Sequence, residues 1–89
     1  MIDDGSKEES NMETGHKFLT GIQNLIKDRA VSKIHLSKYA EKEIREYLNI
    51  MYGSSYRREG ERRGDPLTKL LGYPVQIHTE PTDNEYWVE

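Results

Sequence analysis

The sequence predicts a small α+β domain, with two main helices and a short third one packed on a three-stranded sheet that ends in a C-terminal hairpin. Three observations predict it. Residues 14–29 and 37–53 carry apolar side chains at helical spacing, whereas residues 31–36 and 73–88 alternate as strands do. The length of 89 residues supports one domain. Hydrophobic residues make up 34% of the chain and charged residues 33%, so the core is expected to be small. A chain of this size buries only about 60–65% of its unfolded surface, which makes a partner or a second copy a natural source of further burial.

Residues 1–13 hold five acids, one lysine and only Met1, Ile2 and Met12 as large apolar side chains. Such a segment has too little to bury and reads as a disordered acidic tail, leaving 14–89 as the single domain. In residues 14–29, Phe18, Ile22, Leu25 and Ile26 fall at i, i+4, i+7 and i+8 and form one apolar stripe. Gly21 costs about 1 kcal/mol against alanine in a helix interior, a cost that close packing would offset. Residues 31–36 read as a short strand, with Ile34 and Leu36 on one side and Lys33 and His35 on the other. Ser37 then caps the second helix, whose buried stripe is expected to be Ala40, Ile44, Tyr47, Leu48 and Met51. Glu41 and Arg45 form a favourably ordered i,i+4 pair, and Gly53 sits where the helix should stop.

Residues 54–64 have no periodicity and read as a loop. Asp65 and Pro66 resemble an N-cap followed by a first-turn proline, so Leu67, Leu70 and Leu71 are expected on a short helix that ends at Gly72. From there, Tyr73, Val75, Ile77 and Thr79 alternate with polar residues, and the turn-rich run 81–84 leads into a last strand. A four-residue loop sets Thr79 opposite Tyr86 and Ile77 opposite Val88. That register places Tyr73, Val75, Ile77, Tyr86 and Val88 on the core face and turns Trp87 to the other face, opposite His78.

Little here supports catalysis. The chain has no cysteine, which excludes disulfides, thiolate metal sites and cysteine nucleophiles. His16, His35 and His78 lack ligand spacing, and neither a metal nor a cofactor is expected. Nucleophile-elbow, phosphate-loop and dinucleotide motifs are missing, so no catalytic residue is nominated. No apolar run reaches the ~20 residues that a membrane span requires, and the N-terminus has no signal-peptide pattern, so the expected location is the cytoplasm.

Two surfaces are candidates for binding. In the loop, Arg57, Arg58, Arg62 and Arg63 interleave with Glu59 and Glu61 beside Tyr52 and Tyr56. Interleaved basic and aromatic groups suit single-stranded nucleic acid, while arginine forks suit the carboxylates of an acidic protein equally well. The second surface is Trp87, His78 and Gln76 on the hairpin. Two readings stay open for it: an exposed aromatic anchor for a protein partner, or a second buried face that makes Trp87 core.

The run TKLLGYPVQI, residues 68–77, resembles a segment of tailed-phage major capsid proteins in which an LLG-x-PV element leads from a helix into a strand. In general character the chain is similar to the short accessory proteins of tailed-phage genomes, small α+β modules with acidic tails. The resemblance implies a non-enzymatic role, in virion assembly or in binding and inhibiting a host or defence protein, and it places the chain in the host cytoplasm. It supplies no site residue. The leading expectation is therefore a protein-binding module that uses Trp87, His78, Gln76 and the four arginines. The alternatives are a self-associating assembly subunit and a nucleic-acid-binding module built on the 57–63 loop.

Overall fold

The strand with the densest burial organises the molecule. In a computed structural model of the chain, residues 3–53, 60, 62 and 64–89 are described, with side chains in the first helix from residue 13 onward. Strand β1, Ile34–Ser37, is buried at all four positions, and Ile34 and Leu36 have no exposed surface. A strand buried along its whole length belongs at the centre of a sheet. The sheet has four strands in the order β2-β3-β1-β4, where β2 is Lys69–Leu70, β3 is Tyr73–His78 and β4 is Tyr86–Val88. β1 pairs in parallel with β3 and antiparallel with β4, so the sheet is mixed.

Two helices cover one face. Helix α1, Asp3–Lys27, and helix α2, Lys38–Tyr52, pack mainly on each other, and both reach the sheet. Ile22 and Leu19 from α1 meet Ala40, Ile44, Tyr47 and Leu48 from α2 over Ile34 and Leu36. The helices approach closely at Gly15, whose Cα faces the Glu43 carbonyl and Tyr47. At Gly21, α1 meets the Tyr86 ring. The mid-helix glycine anticipated as a packing device is therefore the seat of a tyrosine. α2 starts as expected, with the Ser37 hydroxyl accepting from the Ala40 amide at 3.0 Å, and it closes at Gly53. The result is the expected α+β class: helices on one side, a sheet on the other.

Several details differ from the sequence reading. The hairpin of 73–79 with 85–89 does not form, because β1 inserts between its arms. Leu36 lies beside both Ile77 and Tyr86, and Ile34 lies beside both Val75 and Val88, in place of the direct Ile77–Val88 pairing. The seven residues 79–85 are long enough to carry the chain past the end of β1, and two fully apolar residues make β1 the better centre. The short helix over 65–71 is replaced by β2, which forms a tight antiparallel hairpin with β3 through Leu71 and Gly72. Their φ values of 55° and 85° are those of a two-residue hairpin turn with both central residues left-handed. The sheet thus gains a fourth strand, and the helix-to-strand passage implied over 68–77 is a strand–turn–strand. Met51, expected in the α2 stripe, is instead 48% exposed.

Residues 1 and 2 and the side chains of 3–12, most of the acidic stretch expected as a disordered tail, lie outside the described residues. Among the described residues no helix is long and apolar enough to cross a membrane.

Candidate functional site on the open face of the sheet

Strand parity decides what the uncovered face presents. Alternation puts Ile34, Leu36, Val75, Ile77, Tyr86 and Val88 toward the helices. His35, Gln76, His78 and Trp87 then point the other way, and so does Ser37 at the start of α2. On this face the rings of His35 and Trp87 lie parallel, with centroids 5.1 Å apart and planes 2° off. His78 leans on both, at 4.7 Å from Trp87 and 5.1 Å from His35. Trp87 and His78 are half-buried, whereas His35 beneath them is only 8% exposed. Offset stacking of this kind contributes about 0.5–1.5 kcal/mol beyond the area it buries.

Polar bonds tie the stack together. His35 Nδ1 lies 2.9 Å from His78 Nε2, and His35 Nε2 lies 2.7 Å from Glu89 Oε1. A carboxylate only accepts, so His35 Nε2 carries the proton toward Glu89. In the neutral ring Nδ1 is then bare and accepts from His78 Nε2–H, so donation runs from His78 to His35 to Glu89. The His35 hydrogen bond, followed by the charge of Lys33, holds the Glu89 carboxyl below its ordinary range. Beside the stack, Lys33 Nζ donates to Gln76 Oε1 at 3.2 Å, and the Ser37 hydroxyl donates to Glu85. The backbone adds to this frame, since the Glu89 carbonyl accepts from the Ser32 amide at 2.7 Å.

The structure thus brings together Trp87 and His78 of the expected patch and places the exposed Gln76 next to them. It adds His35 and Glu89. His35 was legible as outward-facing from its alternation with Ile34 and Leu36, but its contact with Trp87 depends on β1 and β4 being neighbours. Of the arginine loop, Arg57, Arg58 and Arg63 lie outside the described residues. Arg62 is exposed; its amide donates to Asp65 Oδ2 at 2.9 Å and its carbonyl accepts from the Asp65 amide at 3.0 Å. Asp65 therefore closes a local turn, not a helix.

A groove of about 650 Å³ lies between α2 and the end of β3, lined in part by Tyr39, Lys42, Pro66, Ile77 and Thr79. It shares no residue with the stack. Among the described residues no three His, Cys, Asp or Glu side chains are grouped to hold a metal ion. His35 and His78 face each other, while Glu89 sits on the far nitrogen of His35, so the three do not converge on a common point. No family model matches the chain, and neither the curated proteins nor the solved structures contain a match.

Proposed function

We propose that the protein is a small non-catalytic binding module that docks on another protein through the open face of its sheet, with Trp87 as the aromatic anchor. One observation carries this reading: the only tryptophan of the chain is half-buried on the face opposite the helices, propped on His35 and His78. A flat aromatic ring held by neighbours loses little freedom on contact, which is why tryptophan is enriched among interface hot spots. Lys33, Gln76 and Glu89 around it supply the polar rim of such a surface. The accessory role implied by the general likeness to small tailed-phage proteins, occluding a host or defence protein or joining an assembly, agrees with docking of this kind.

The test compares baits of the full chain: wild type, Trp87→Ala and Gln76→Lys, each first shown to unfold cooperatively. Gln76 is exposed, so its variant changes the rim without touching the core. Proteins captured from the cells that make the chain should be retained by wild type, lost with Trp87→Ala and weakened with Gln76→Lys. Identical capture by all three would remove the docking reading.

A further inference from the structure

The two facing imidazoles of the open face share one proton between their 2.9 Å nitrogens, and this sharing has a consequence for acidification. When one proton is added, His35 becomes an imidazolium that still donates to Glu89 from Nε2 and now donates to His78 from Nδ1. For this, His78 shifts its own proton from Nε2 to Nδ1 and turns from donor to acceptor. Every contact in the stack survives, and the cation lies parallel to the Trp87 ring, where its attraction to the indole face is favourable. A second proton cannot be placed in the same way. With both rings charged, both facing nitrogens donate, the hydrogen bond is lost and two like charges stand 5.1 Å apart at the ring centroids.

We propose that His35 and His78 form a one-proton sensor beneath Trp87. The first proton is taken up inside the intact stack and makes the docking face one charge more positive; the second breaks the His35–His78 contact and uncovers Trp87 on the side that His78 covers. Among the described residues, the charged groups that set this balance are few. Glu89 at the end of β4 stabilises the first proton, and Lys33 beside β1 opposes both while occupied with Gln76 on β3. Glu85 is held by Ser37, and the helices lie on the opposite face. For binding, uptake of the first proton shifts the face toward an acidic partner and away from a basic one. Only this last consequence rests on the docking reading, since the sensor is a property of the chain by itself.

The experiment uses the isolated full chain and is therefore independent of any partner. Imidazole nitrogen NMR and tryptophan emission are followed from about pH 8 to about pH 4, across the range in which histidine changes charge. In wild type, the His35 and His78 rings should respond together in a first step that quenches Trp87 without shifting its emission. A second step, at lower pH, should shift the emission to the red. His78→Gln can accept from or donate to His35 but cannot take the second proton, so it should keep the quenching and lose the red shift. His16→Gln, on α1 and away from the stack, should behave as wild type. Independent single-proton titrations of the two rings in wild type, or a red shift unchanged in His78→Gln, would overturn the sensor. Should the His78→Gln chain fail to fold, the wild-type NMR titration alone decides the matter.

Discussion

Glu41 offers a prediction that can be worked from its contacts. It is 3% exposed, yet it holds two parts of the molecule together. Its carboxylate accepts from Arg45 Nε at 3.0 Å and from a terminal Arg45 nitrogen at 3.3 Å. It also accepts from the Leu67 amide at 2.9 Å, while Arg45 reaches the Gly64 carbonyl at 2.9 Å. One acid on α2 thereby fixes the chain that leads into β2, where Leu67 and Leu70 enter the core. In Glu41→Ala the buried Leu67 N–H loses its acceptor, which costs about 1–3 kcal/mol. The arginine, 22% exposed at its side chain, loses a partly screened partner for about 1 kcal/mol more. The expected loss is about 2–4 kcal/mol in urea unfolding, a large part of what a domain of this size has. Glu41→Gln keeps an oxygen for the Leu67 amide and should lose about half as much. A loss below about 0.5 kcal/mol for Glu41→Ala, within the range of ordinary surface substitutions, would refute the claim that this carboxylate anchors the β2 segment.

Three further outcomes follow from particular contacts. A Cβ on Gly21 would sit 2.6 Å from the Tyr86 ring carbon, so Gly21→Ala should destabilise by about 1–3 kcal/mol despite the better helix propensity of alanine; thermal unfolding reads the sign. Leu71 holds a left-handed φ of 55° while 39% exposed, so Leu71→Asn should create an Asn-Gly turn and stabilise by about 0.5–1 kcal/mol. A lower denaturation midpoint for that variant would contradict the turn assignment. Burial, and secondarily Glu46, raises the Glu43 carboxyl above its ordinary range, so the folded state holds that proton more tightly than the unfolded chain. The ionised form therefore costs stability above the ordinary carboxylate range, and the cost fades as pH falls through it. Glu43→Gln should be more stable than wild type at neutral pH, with the two denaturation curves converging near pH 4.

Much of the open face was legible because strand alternation does not depend on which strand lies alongside. Trp87, His78 and Gln76 share a side whether 86–88 pairs with 73–78 or with β1, and Tyr86 and Val88 take the other side in both cases. The identity of the neighbour was not legible. Ile34 and Leu36 fit an edge or a centre by composition, and only the assembled sheet shows that β1 separates the arms of the expected hairpin. For that reason the sequence pointed to Trp87 and His78 on one face but not to His35, the imidazole stacked parallel to Trp87. Leu67, Leu70 and Leu71 mimic a helical stripe, and a leucine in a left-handed turn runs against local preference. The Glu41–Arg45 pair could be read from its spacing, but the bond to the Leu67 amide, 26 positions away, could not. The expected arginine surface lies mostly outside the described residues.

Docking requires the Trp87 face to be open to a partner. Light scattering on the purified chain, with Trp87 emission and its quenching by acrylamide recorded on the same sample, tests it most directly. The expected result is a monomer near the 10.4 kDa of the chain in which Trp87 is quenched by acrylamide. A monomer with blue-shifted, unquenched emission would make Trp87 core, and an oligomer with shielded emission would show the face already occupied by another copy; either result contradicts the claim.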